Sequence, residues 1–264
     1  MIQPGEIARL AHRLGLGDKT IGKDYVLTWT LLAIAESPLR HHLAFKGGTA
    51  LKKIYVPDYR FSEDLDFTLL DDIANDELAA AVEALSIWLH REVNITLAVR
   101  RVEVHQTGNP AIYLNYVGPL GGDLSSRFFK TDFTRDELLL FPLVEAPLRV
   151  PYSDCRSRNQ TLRVYSPEEI LAEKLCALLG RTEPRDLYDV HYMLEHDLAD
   201  ARAGSSYRAF PLISISARKT AWRRLIGQAQ TRRSWKSRPG RRRSRRSATT
   251  TRLTNPRNRY KLGE

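Results

Sequence analysis

The stretch FKGGTALKKIYVPDYRFSEDLDF, residues 45–67, decides the fold. Its second half belongs to an alternating run, Phe61 to Leu70. Leu65, Phe67 and Leu69 fall on one face, and Ser62, Asp64, Asp66 and Thr68 on the other. That is the period of a strand with one buried and one polar side. Its first half starts from a short apolar stretch, Leu43 to Phe45, that leads into Gly47-Gly48-Thr49. A helical stretch, Ala50 to Tyr55, follows, and Pro57 and Asp58 mark a turn.

The chemistry of the stretch lies in its polar face. Asp64 and Asp66 are two apart on the strand and project from one side, with α-carbons roughly 7 Å apart. Such a pair can converge on one hard cation, Mg²⁺ or Mn²⁺, which prefers oxygen ligands and is often held by one or two carboxylates plus substrate phosphates. An Asp-x-Asp by itself reads more readily as a solvated strand face. The upstream turn adds the second half of a site. Glycines between a strand and a helix start let backbone N–H groups approach phosphate oxygens, and a helix N-terminus favours anions. The Thr49 hydroxyl either binds a phosphate or caps the helix. Ser62 shares the polar face and is placed to orient Asp64 by a hydrogen bond.

Outward from this stretch the chain alternates helices and strands. Residues 19–36 read as a helix, with Tyr25, Val26, Trp29, Leu32 and Ala33 at three-to-four spacing. Residues 75–92 are an amphipathic helix, with Leu78, Val82, Leu85 and Leu89 in a stripe. Strand-like runs cover 95–104, 111–117 and 127–133, and Gly118 to Gly122 is a loop. Residues 134–165 are mixed, broken by Pro142, Pro147 and Pro151. Ser166-Pro167-Glu168-Glu169 then announces a helix, with Ser at the N-cap, Pro at the first position and Glu at the capping-box position. On it Lys174 sits between Leu171 and Leu178, on an apolar face where lysine is uncommon. It is either a snorkelling lysine at the core edge or a cation facing a triphosphate. A further helix spans 185–196 and opens with Asp186, a position that the helix dipole alone favours for an acid. Arg181 and Arg185 either assist with phosphate charge or pair with Glu183 and Asp189 on the surface. His41, His42, His90, His105, His191 and His196 lack metal-ligand spacing.

Two blocks, FKGGTALKKIYVPDYRFSEDLDF and SPEEILAEKLCALLGRTEPRDLYDVHYML, together resemble the AbiEii/AbiGii toxin family of nucleotidyltransferases, within the DNA polymerase beta-like superfamily. The likeness covers roughly residues 20–197. It implies an α/β (α+β) fold, a mixed sheet flanked by helices and followed by a helical C-terminal part. It also implies transfer of a nucleoside monophosphate from a nucleoside triphosphate (NTP), with pyrophosphate leaving. Positions matching the family's functional residues are Gly48, Thr49, Ser62, Asp64, Asp66, Lys174 and Asp186. Lys46 and Gly47 adjoin them in the phosphate turn. The superfamily commonly adds a third carboxylate from a neighbouring strand, acting as general base or metal ligand. Asp132 is the candidate by position, although Lys130 on the same strand face offers it an ordinary ion pair. Members are typically toxins of two-gene toxin–antitoxin or phage-defence systems, which implies a cognate antitoxin. Some related toxins act on transfer RNA, so tRNA or another RNA is an expected acceptor.

Charge divides the chain. Residues 201–264 hold 19 Lys and Arg against one acid, a balance of +18, while the rest holds 22 against 30, a balance of −8. The expected organisation is therefore a nucleotidyltransferase core at 1–150, a helical part completing the site at 151–200, and a basic, disordered tail at 201–264. That tail is either a genuine extension or the product of a shifted reading frame. No apolar run approaches the roughly 18 residues of a membrane span, the N-terminus lacks a signal-peptide core, and Cys155 and Cys176 form no disulfide or metal pattern. A cytoplasmic location is the expectation. Two other readings remain: a metal-dependent nuclease, which leaves the Gly-Gly turn without a role, and a nucleic-acid-binding protein driven by the tail, with steep salt dependence.

Overall fold

The computed structural model describes residues 1–181 and 183–199. The basic segment 201–264, expected to be disordered, lies outside the described residues. Among these described residues six α-helices flank one seven-stranded mixed sheet. In chain order they are α1 (Pro4–Leu14), α2 (Asp18–Glu36), β1 (Leu43–Lys46), α3 (Gly47–Ala50), β2 (Leu65–Leu69), α4 (Asn75–Val93), β3 (Thr96–Val104), β4 (Pro110–Val117), β5 (Phe128–Thr134), β6 (Val144–Pro147), β7 (Thr161–Val164), α5 (Pro167–Gly180) and α6 (Pro184–Glu195). The strands lie in the order β3-β4-β5-β2-β1-β7-β6. Strand β2 runs antiparallel to β1 and parallel to β5, and β1 is parallel to β7.

The register of the three central strands places the chemistry. Phe45, Phe67 and Phe133 are aligned across β1, β2 and β5, and so are Lys46, Asp66 and Asp132. Because side chains alternate along a strand, the phenylalanine row faces the core. Its ring centroids lie 5.3 and 5.8 Å apart. The charged row faces the other way. Helix α4 packs on β3, and α2 packs on α4. Helix α2 is buried along almost its whole length and carries a charge into the core: Asp24 accepts from Lys53 Nζ at 2.7 Å and from the Tyr152 hydroxyl at 2.6 Å.

Three elements depart from the sequence expectation. The strand expected from Phe61 to Leu70 is only Leu65–Leu69. Its partner β1 is four residues long, and the Asp64 carbonyl is taken by the Thr49 hydroxyl at 2.6 Å. Asp64 therefore stands at the strand's entrance. The helix expected at Ala50 begins at Gly47, and Leu51–Tyr55 continue it as a wider turn closed by Val56 N–H on the Leu51 carbonyl at 2.7 Å. The mixed region 134–165 contains β6 and β7, each four residues, too short to show a period. At the start of α5, Ser166 Oγ accepts from Glu169 N–H at 3.2 Å as the capping box requires. The Glu169 carboxylate, however, accepts from the Leu140 and Phe141 N–H groups at 2.9 and 2.7 Å, tying a preceding loop to the helix.

Candidate active site

The polar row supplies three carboxylates on adjacent segments: Asp64 at the entrance of β2, Asp66 within it, and Asp132 beside Asp66 on β5. Asp66 is partly buried. Burial first, then the charges of Asp132 and Asp64, push its carboxyl up to about 6, against the opposing pull of Lys46 and Lys174. Burial also raises Asp64, with Asp132 and Glu63 adding to the effect and Lys23 and Lys130 opposing it. Asp132 accepts from Lys130 Nζ at 2.7 Å. The third carboxylate is thus both the strand neighbour of Asp66 and the partner of a lysine. Among the described residues no group of three or more His, Cys, Asp or Glu side chains is arranged as a ready metal cage.

The Gly-Gly turn is built against this acid. Gly47 has φ +78°, and a Cβ placed on it would overlap the Asp66 Oδ2 carboxylate oxygen. Glycine is required twice over: for the left-handed backbone and for the approach to the carboxylate. At Gly48 a Cβ would lie 2.8 Å from Arg60 Nη2 and 3.6 Å from Asp189 Oδ2. Thr49 is buried, and its hydroxyl donates to the Asp64 carbonyl, holding the helix start against the entrance of β2. Ser62 is partly buried and, among the described residues, makes no side-chain bond to Asp64. Lys46 is turned aside by acids, donating to Glu173 at 2.8 Å and Glu137 at 3.3 Å. Burial opposes its charge, but Glu173, Tyr165 and Glu137 together hold its ammonium above the usual lysine range.

The helical part brings a second cluster to the same turn. Lys174 Nζ lies 2.9 Å from Asp186 Oδ1 and 3.0 Å from Asp189 Oδ2, and both acids are fully buried. Asp186 also accepts from Arg181 Nε at 3.0 Å. Asp189 accepts from Arg60 Nε at 2.6 Å, Arg60 Nη2 at 2.7 Å and the Tyr59 hydroxyl at 2.7 Å. Burial works against both carboxylates, yet the bonds from Lys174 and Arg181 hold Asp186, and those from Arg60, Lys174 and Tyr59 hold Asp189, below the ordinary range. Asp189 is therefore not the surface-pairing residue expected from helix spacing. It is buried beneath Arg60, and Arg181 pairs with Asp186 instead. Arg185 is exposed.

Arg60 and Tyr59 were missed as site residues, although they stand four and five positions before Asp64. Tyr-Arg beside a turn has no periodicity to flag it; only the distant Asp189 reveals its use. Two surface cavities, of about 480 and 450 Å³, lie away from the carboxylates, one at the far end of β2 beside Arg135 and one beneath Trp88 between α2 and α4. The acids lie instead on the open face of the sheet, flanked by cations.

The chain matches the model of the family described as nucleotidyl transferase AbiEii toxin, Type IV TA system, over residues 29–250. Among solved structures it is similar to MenT4, nucleotidyltransferase toxin Rv2826c from Mycobacterium tuberculosis H37Rv. The TM-score is 0.58 at 24% identity, over 74% of this chain and 65% of that one. It also matches JHP933 from Helicobacter pylori with a TM-score of 0.48 at 20% identity, over 70% and 71% of the two chains. The chain thus spans about 65% of the length of MenT4, and that likeness is one of fold. No curated protein gives a match.

Proposed function

The chain belongs to the AbiEii family of nucleotidyltransferase toxins, and we propose that it transfers a nucleoside monophosphate from an NTP to a hydroxyl of an RNA acceptor such as tRNA. The observation that carries this reading is the row Lys46, Asp66, Asp132 with Gly47 pressed against Asp66. A glycine turn and an all-oxygen donor pair meet at one strand end.

The residues fit a divalent cation. Asp64 and Asp66 are oxygen donors, and the burial and neighbouring carboxylate charge that raise Asp66 to about 6 would be offset by a cation held there. Bound Mg²⁺ or Mn²⁺ would supply charge neutralisation for the triphosphate and the leaving pyrophosphate. Gly47 and Gly48 let the backbone lie against the Asp66 carboxylate and the Arg60 guanidinium, and the first N–H groups of a helix have no partner within it. Lys174, anchored by Asp186 and Asp189, presents positive charge toward Asp66 and the leaving group. Arg60 and Arg181 extend that field. The acceptor oxygen forms a bond to the α-phosphorus as the bond from that phosphorus to the bridging oxygen breaks. The hydroxyl proton passes to the Asp132 carboxylate, and pyrophosphate leaves with the electron pair. A cognate antitoxin is the expected partner in this reading. No helix among the described residues is long and apolar enough to cross a membrane.

The test is incorporation. The chain is incubated with total tRNA, each labelled NTP in turn and Mg²⁺ or Mn²⁺. Asp64→Ala should abolish incorporation while its circular dichroism stays unchanged; full activity in that variant overturns the reading. RNA shortened in the absence of NTP would assign the same carboxylates to a nuclease.

A further inference from the structure

The open face of the sheet does not end at Asp132. Register carries it across β5, β4 and β3: Asp132 stands opposite Ala111, Lys130 opposite Tyr113, and Tyr113 opposite Arg101. Phe128, 44% exposed, continues β5 on the same face, with its ring centroid 6.1 Å from that of Tyr113. The β3–β4 ladder slips between Val99 and Arg101. In an unbroken strand Arg100 and Arg101 would point to opposite faces. A bulge re-aims one of them, and both guanidiniums lie over this face: Arg100 4.9 Å from the Phe128 centroid, and Arg101 3.8 Å from that of Tyr113. Lys130 Nζ lies 6.0 Å from the Tyr113 ring and bonds Asp132.

We propose that this strip, Arg100, Arg101, Tyr113, Phe128 and Lys130, is a docking platform for the single-stranded end of a polynucleotide, which it leads to Asp132. Neighbouring strands lie about 4.8 Å apart, so the platform reaches from the row of Asp66 to β3 over roughly 15 Å, the run of a few nucleotides. Guanidinium planes pinned over aromatic rings present a flat cationic surface, which stacks on bases and meets phosphates at once. Glu103 pairs with Arg101 at 2.8 Å from the same strand and helps fix its guanidinium over the Tyr113 ring. Sequence-tolerant binding follows, because every base offers a π-face. The surface rests on the nucleotidyl-transfer reading only for its direction: the terminal hydroxyl points at Asp132.

A location readout separates this strip from the basic segment 201–264, whose charge alone would attract polynucleotides. A short single-stranded RNA carrying 4-thiouridine at its 3′ end is photocrosslinked to the full chain at raised salt, and the adducts are mapped by mass spectrometry. Adducts are expected in the peptides that hold Tyr113 or Phe128. Affinity by fluorescence anisotropy should fall about tenfold in the double variant Arg100→Ala/Arg101→Ala. Arg101→Lys, which keeps the charge and loses the plane, should fall with it. Adducts confined to 201–264, or unchanged affinity in both variants, overturn the proposal; so does stronger capture of a duplex than of the single strand. Asp64→Ala should crosslink as the parent does. A platform that crosslinks in a chain showing no incorporation refutes the transfer reading alone.

Discussion

Asp66→Asn should stabilise the metal-free fold. The Asp66 carboxyl is raised from 3.8 to about 6 by burial, Asp132 and Asp64. At roughly 1.4 kcal/mol per unit, ionising it in the folded chain costs about 3 kcal/mol relative to the unfolded chain. The cost is fully present above about pH 6, where both states are charged, shrinks as pH falls through the interval, and is absent below about pH 4, where both are protonated. The amide has nearly the same shape and carries no charge, so it removes the penalty. For a unit of this size, 3 kcal/mol corresponds to a rise in Tm of about 6–12 °C. The assay is thermal unfolding of parent and variant with a chelator, at about pH 8 and again at about pH 4. A clear gap is expected at the higher pH and none at the lower. Adding Mg²⁺ or Mn²⁺ should then raise the parent more than the variant, because a ligand stabilises only the state that binds it. A variant equal to or below the parent at about pH 8 with chelator would show that burial and neighbouring charge do not penalise the ionised Asp66, and the case for a cation at Asp64 and Asp66 would lose its physical basis.

Other outcomes follow from the turn and the buried acids. Gly47→Ala puts a Cβ on the Asp66 carboxylate at positive φ; incorporation should be lost, and strain of about 1–3 kcal/mol should appear in urea unfolding. Lys174→Ala leaves Asp186 and Asp189, both fully buried, short of a cation; a loss of about 3–5 kcal/mol is expected by the same measurement, and a change under 1 kcal/mol would mean that Arg60 and Arg181 suffice. Thr49→Val removes the bond to the Asp64 carbonyl; it should cost about 1 kcal/mol and lower incorporation more than that loss alone explains, since Asp64 is no longer fixed.

Local signals in the sequence carried the central strand, the turn and the two C-terminal helices. Period two from Leu65 to Leu69 and the Ser166 cap are short-range patterns, read without knowing the fold. Strand partners are not short-range. Asp132 was a candidate by strand face, but its place beside Asp66 is a matter of register between strands more than sixty residues apart. Asp189 was read from helix spacing as a surface residue because nothing in α6 shows that Arg60 covers it. Strand β7 was invisible for another reason: four residues cannot display a period, and only its pairing with β1 and β6 defines it. The bulge before Arg101 is likewise a property of the pair, not of either strand.

The bond between Arg60 and Asp189 spans 129 residues of chain. A ribosome adding about 5–20 residues per second needs about 6–26 seconds to cover that distance. Through that interval the nascent polypeptide already displays Asp64 and Asp66, but it lacks Lys174 and its anchors for most of the time, and Asp189 until the end. A site assembled from residues so far apart in the chain is complete only once α6 has been made.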